Sequence, residues 1–508
     1  MKTPIRTTQI MLLVIVGLGV LFWGANFWVK YKIKSLLDQQ VEQGHLFYDS
    51  FEVNIFTNRA GLKNIHWIQQ KSDLVHDIYS AAELTASGFN FIKYLNANKI
   101  HFNHLLISNA EIELVKIVRD TLQIDNQEAS TATKTMDLSF GVLELHQTKI
   151  HQVDQNSKDT LFSAQIPSFQ MEEVQLDRKT IHQPIPIRYS DYEVVAHTVF
   201  YRLSDLFNLS IGRLNSRDSL TVLENLEIKS PYEKLEFSSH IPFEKAWLDL
   251  MIPKVELTHF GMDHARDSLE FSAESIRLMN AQLDIYKDNR LPDYPNFKPL
   301  YSRLIRELPI KISVDSTHII DTDIKFQLQT KEEPPPGMIY FEKINAHIAH
   351  LNNTGSYPPT SVLAQTQFMG DAKFEMTWSF NSRSPNDEFE ISGILYRLKD
   401  EDINHFVTPA LNIATEGAIN KLAFNYNGNN HIARGDMYVD YDALRIHLLK
   451  KDGTSRHRWI SGILNFILRN KLDGAVEEKN LTVERIQTKS FWHYLWAMVR
   501  EGTLETIK

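Results

Sequence analysis

The chain has 508 residues, 43% hydrophobic, 23% charged and 11% aromatic, which is the composition of a folded body and excludes wholesale disorder or a collagen-like repeat. A formal net charge of -9 argues against nucleic acid as the main partner, because phosphate recognition needs a basic face. With no cysteine, disulfides, thiolate metal centres, iron–sulfur clusters and cysteine nucleophiles are all excluded.

From the N-terminus, a short tail (residues 1–9) leads into Ile10–Val29, apolar throughout except for Asn26. At about 1.5 Å per residue a helix of that length spans ~30 Å, the thickness of a bilayer's hydrocarbon core. Trp23 and Trp28 lie toward its C-terminal end, where indole rings suit a headgroup layer. A cleaved signal would be shorter and end in a small-x-small site, whereas here Trp23 precedes the only small pair, Gly24 and Ala25. The stretch is read as an uncleaved transmembrane anchor. Lys2 and Arg6 before it are balanced by Lys30, Lys32 and Lys34 after it, so charge leaves sidedness open. Residues 30–508 are expected to form one water-facing body, with Ile33–Val41 extending the anchor helix.

That body is dominated by short runs with period-two alternation, such as Lys99–Leu105, Lys373–Phe380 and Phe389–Tyr396. The last two flank Asn381–Asp387 and read as a hairpin with a long loop. Ala418–Tyr426 and Ala433–Tyr441 form another hairpin through Asn427–Asn430. Helices are few: Leu300–Leu308 ended by Pro309, Trp459–Leu472 with basic flanks, and the aromatic run Phe491–Val499. The last reads either as a cap packed over the end of a sheet or as a helix that meets a partner or membrane. Lys331–Gly337 is read as a loop between strands, the one break in the body.

Four segments share one pattern: apolar, any, Asn/Asp/Gln, Ala/Thr, any, apolar. They centre on Asn109-Ala110, Gln147-Thr148, Asn280-Ala281 and Asp321-Thr322. Within each half the apolar residues are two apart, on one face of a strand. Across the centre they are five apart, so a plain strand would throw them to opposite faces. A turn or bulge there restores the facing, and Asn or Asp tolerates the backbone angles it requires. The repeated device predicts a mainly β fold, an elongated, curled antiparallel sheet with one apolar groove. Alternating apolar residues equally describe the core side of an ordinary sandwich, but the chain lacks the linkers and covering helices that so large a sandwich needs.

In this arrangement the chain resembles the AsmA-like family of bacterial envelope proteins. The resemblance rests on the anchor, the strand Phe51–Ile55, the four repeats, and Leu308–Asp315 leading into the last of them. It is completed by Gly435–Leu444 with Ile446 and Leu448, Asn465, Ser490–Trp492 and Gly502. It implies a fold like that of chorein-type bridge-like lipid-transfer proteins, an inner-membrane anchor with the N-terminus in the cytoplasm, and a body in the periplasm engaged in phospholipid traffic.

No catalytic constellation emerges, so no enzyme activity, cofactor or metal is expected. His101 with His104, and His146 with His151, are three and five residues apart and on a strand point to opposite faces. Metalloprotease, hydrolase and phosphate-loop motifs do not occur. The expected activity is lipid binding or transfer, with acyl chains shielded in a β-groove. Its lining would come from Leu105, Ile107, Ile112, Leu114, Leu143, Leu145, Ile150, Ile276, Leu278, Leu283, Ile285, Ile319, Ile324 and Phe326, some of them serving as ordinary packing. The alternative is an anchored scaffold that assists envelope-protein assembly and carries no lipid. An open apolar trough favours the first, a filled core the second.

Overall fold

The computed structural model describes residues 45–72, 75–90, 99–116, 138–177, 187–265, 268–333, 335–354, 358–449 and 472–507, with residues 30, 31, 34, 35, 37 and 38 in helix. No helix among them is long and apolar enough to cross a membrane. Ile10–Val29 lies outside the described residues, as does the expected helix from Trp459 up to residue 471. Leu472, expected to end that helix, instead opens a strand.

The described residues are mainly β, with 67% strand and 11% helix, and the chain divides into two compact units. The first, residues 1–202 with 212–218, carries β1 (Leu46–Phe47), β2 (Ser50–Asn54), β3 (Arg59–Ser72), β4 (Val75–Ser87), β5 (Ile100–Lys116), β6 (Leu138–Asp154), β7 (Thr160–Leu176) and most of β8 (Asp191–Ser204). Strand β9 (Phe207–Arg217) contributes residues to both units. The second unit holds β10 (Leu220–Lys229), β11 (Ala246–Thr258), β12 (Gly261–Ala265), β13 (Ser268–Met279), β14 (Gln282–Asp288) and α1 (Tyr301–Arg306). It continues with β15 (Lys311–Gln329), β16 (Gly337–Asn352), β17 (Thr360–Phe368), β18 (Ala372–Phe380), β19 (Phe389–Lys399) and α2 (Asp400–Leu411). β20 (Ile413–Gly428), β21 (Ile432–Leu448), β22 (Leu472–Glu484) and α3 (Phe491–Ile507) complete it.

The expected all-antiparallel sheet is corrected: the sheet is mixed. Strand β5 runs parallel to β6, and both β13 and β14 run parallel to β15. The cause lies in the repeats. Copies about forty residues apart are laid side by side, not folded back on each other, so Asn109 comes level with Gln147, and Asn280 with Asp321. The two hairpins expected from the turn signals form as β18–β19 and β20–β21, and the segment 330–336 joins β15 to β16.

All four repeat centres adopt the left-handed conformation, with φ 52° at Asn109, 53° at Gln147, 56° at Asn280 and 49° at Asp321. The burial pattern changes parity there. In β6, His146 and Gln147 are consecutively exposed, Thr148 is buried, Lys149 is exposed and Ile150 is half-buried. The residue after each kink is tightly enclosed: Ala110, Thr148, Ala281 and Thr322 are 6%, 1%, 5% and 7% exposed, which explains the small side chain in the pattern. A bulge, however, is not how the β5–β6 pair achieves this. Its register is the same before and after the kink, from Ser108 opposite His146 to Glu111 opposite Lys149, so neighbouring strands kink together without gaining a residue. β15 and β16 do shift register around Thr322, where the Lys343 amide donates to the Asp323 carboxylate at 2.9 Å. Asn280→Val should cost about 1–2 kcal/mol in denaturant unfolding, because a branched side chain crowds the left-handed backbone, while Asn280→Gly should be near neutral.

The helices follow local rules. α2 was not foreseen; its signals are Asp400, Glu401 and Asp402 in the first turn and left-handed Asn412 (φ 61°) closing the last. α1 is pinned by Arg306, which donates to Asp387 at 2.8 Å and to the carbonyls of Ser382 and Ser384. α3 runs beyond the expected Val499 and packs as a cap. It buries Phe491, Tyr494, Ala497 and Met498 against β18–β22, and Tyr426 donates to the Met498 carbonyl at 3.0 Å. Gly435 is required opposite Tyr426, where a Cβ would sit 2.0 Å from the Asn425 carbonyl oxygen.

A buried carboxylate ties the loops of the second unit. Glu244 is 2% exposed, with the ammonium groups of Lys287, Lys489 and Lys298 at 2.8, 3.0 and 3.7 Å. Burial works to raise its pKa, but hydrogen bonds from Lys287 and Lys489 and their charge outweigh this and hold it below its ordinary value of 4.5. A carboxylate depressed in the folded state contributes stability that is complete above the ordinary value and lost as pH falls through the folded one. The stability difference between wild type and Glu244→Gln should therefore be largest at neutral pH and shrink below about pH 4.5 in melts taken at stepped pH.

Candidate functional site

Cross-strand partners project from the same face of a sheet, so following register across strands shows what that face is made of. In the first unit one row runs Phe51, Leu62, Leu84, Ile107, Leu145, Phe169 and Val194, from β2 to β8. Beside it runs a second: Val53, Ala60, Ala86, Leu105, Leu143, Met171 and Tyr192. Beyond the kink a third joins Leu46, Trp67, Tyr79, Ile112, Ile150 and Ala164. Between the first two, on the opposite face, lies a mostly polar row of Glu52, Gly61, Thr85, Leu106, Glu144, Gln170 and Glu193. One face is apolar across the strands and the other is mostly polar.

Every member of the first row is half-buried, none fully enclosed and none fully exposed. Among the described residues, the clusters of fully buried apolar side chains all belong to the second unit. With strands ~4.8 Å apart, β2 to β8 carry this face over roughly 29 Å.

The second unit continues the theme and then closes it. A row of Leu223, Val255, Leu278, Ile319, Ala346, Ala364, Met376, Gly393, Phe424 and Met437 crosses from β10 to β21. Leu278 through Met376 are half-buried, while Phe424 and Met437 are 6% and 1% exposed beneath α3. A parallel row of Ile228, Leu250, Leu283, Ile324, Phe341 and Phe368 stays half-buried throughout. At the α3 end the face is filled by stacked aromatics: the Trp378 and Phe491 rings lie 4.6 Å apart, and Phe389 meets Tyr494 edge-on at 5.9 Å.

Most of the expected lining residues meet in cross-strand pairs. Leu105 meets Leu143, Ile107 meets Leu145, and Ile112 meets Ile150. Leu278 meets Ile319, Leu283 meets Ile324, and Ile285 meets Phe326. Leu114 and Ile276 stand opposite Gln152 and Thr317 instead. Ile276 and Leu278 pack on the small cluster of Ile252, Val255 and Ala281, as do Leu223 and Leu250 of the rows. A search for the strict kink pattern overlooks Leu62, Leu84, Phe169 and Met171, although Asn64 and Glu173, two residues after Leu62 and Met171, are also left-handed with φ 51° and 49°.

The histidines are brought together differently from their sequence spacing. His104 and His146 lie 3.3 and 3.4 Å from the two oxygens of Glu144, a convergence that only the parallel β5–β6 pairing creates. His101 contacts the Ser139 hydroxyl at 2.9 Å and His151 that of Thr160 at 3.1 Å. Among the described residues no group of three or more His, Asp or Glu side chains is arranged to hold a metal. No family model matches the chain, and no curated protein matches it either.

Proposed function

We propose that this chain is a membrane-anchored lipid-binding or lipid-transfer protein of AsmA-like type, its body lying in the periplasm and its apolar face forming a curled groove that shields acyl chains. The observation that supports this most is the first unit's apolar face, continuous across β2 to β8 yet without a cluster of fully buried apolar side chains among the described residues. Each methylene transferred from water onto such a surface contributes up to about 0.8 kcal/mol, so a two-chain lipid gains most where the rows are longest. Headgroups would stay in water, and the residues of the face need only exclude solvent. Partners in this reading are phospholipid, the inner membrane and other envelope proteins.

The filled face beneath α3 favours the anchored-scaffold reading for that end of the chain, since nothing can enter where Trp378, Phe491 and Tyr494 already pack. Native mass spectrometry after gentle detergent extraction separates the two. Recovery of phospholipid bound to the chain supports transfer; an intact chain without lipid supports the scaffold.

A further inference from the structure

Along the C-terminal strand lies a cleft at the end of the apolar row, where Met437 stands opposite Glu478. Its volume is about 540 Å³, and one wall is formed by the consecutive residues 478–484 of β22. Consecutive residues project to alternate faces, so a cavity touching all of them lies beside the strand's edge and not over either face. The other wall is a single stripe of α3, with His493, Ala497, Glu501 and Glu505 spaced one helical turn apart. Among the described residues β22 pairs with β21, and its other edge faces this cleft.

A strand edge walled by a helix has the shape to receive one more extended segment, through main-chain hydrogen bonds along the edge and side-chain contacts to the helix. Its charge selects the occupant. Glu478, Glu484, Glu501 and Glu505 line it against Lys479 and Arg500. Both basic groups are already engaged, Lys479 by Glu477 at 3.4 Å and Arg500 by Glu501 at 2.7 Å, a pair that neutralises Glu501 as well. Among the described residues neither Glu478 nor Glu484 has an ion-pair partner. Two copies of the chain joined edge to edge here would bring like charges together, which disfavours self-association.

We propose that β22 and α3 form a docking site for an extended, lysine- or arginine-bearing segment of a partner protein, added as a further strand at the β22 edge. Residues 478–484 offer roughly 20 Å of edge, room for a strand of ordinary length.

The full chain in detergent can be titrated with a fluorescent peptide of alternating lysine and valine, and with its glutamate–valine counterpart. The lysine peptide should bind, weaken with salt, and lose about tenfold in affinity with Glu484→Lys combined with Glu501→Lys. Hydrogen exchange should show new protection of the amides of residues 478–484. Glu484 is exposed, but Glu501 is half-buried and paired with Arg500, so melting is followed alongside; Glu478→Lys, which leaves α3 untouched, provides a second variant. Equal binding of the acidic peptide, binding indifferent to these substitutions, protection confined to another segment, concentration-dependent self-association through this edge, or no binding of the lysine peptide would each overturn the proposal.

Discussion

Asparagine at both Ile107 and Leu145 is expected to strip the chain of co-purifying lipid, by about tenfold, while leaving it folded. These residues are direct neighbours on β5 and β6 in the middle of the longest half-buried row of the first unit. In an ordinary core, a polar amide at two adjacent aliphatic positions would cost several kcal/mol and unfold the unit. Here the side chains are only half-enclosed and the amide keeps access to solvent, so each change should cost no more than about 1 kcal/mol in unfolding. Lipid bound as proposed would, by contrast, lose its dry surface. A variant that unfolds, or one that retains its lipid, would show that this face is packing.

Phe491→Ala should have the opposite signature, a large loss of stability. Phe491 is 3% exposed and touches Trp378, Phe389 and Tyr301 at ring distances of 4.6, 5.4 and 6.0 Å. Truncating a buried phenylalanine typically costs about 3–5 kcal/mol, which in a unit of this size lowers melting by roughly 10 °C. The same substitution should leave lipid recovery unchanged at temperatures where the chain stays folded. Together the two variants separate a face that holds a ligand from a face that holds the protein together.

Much of the local fold was legible in the sequence, and the reasons are physical. The Asn-Ala and Asp-Thr centres announced a turn or bulge because five-residue spacing violates strand parity, and Asn109, Gln147, Asn280 and Asp321 restore the facing with a left-handed residue. Turn residues fixed the hairpins at Asn381–Asp387 and Asn427–Asn430. Parallel pairing was not legible, since it is decided by which repeat lies beside which, and period-two patterns look alike in either direction. α2 was hidden by Pro409 in its last turn and by the strands on either side. The lining was read only in part, because the strict pattern marks β5, β6, β13 to β15, while in β3 and β7 the left-handed Asn64 and Glu173 are followed by Ile65 and Val174 in place of Ala or Thr. The Glu144 contacts of His104 and His146 depended on that same unforeseen parallel register.

The central claim is tested most directly by placing a photoactivatable phenylalanine analogue at Leu145 on the apolar face, and at Lys149 as the exposed control, in cells grown with radiolabelled phosphate. Irradiation should join labelled phospholipid to the chain at Leu145 and not at Lys149. Equal labelling at both positions, or none at Leu145 while the chain remains folded, would contradict a lipid-bearing face.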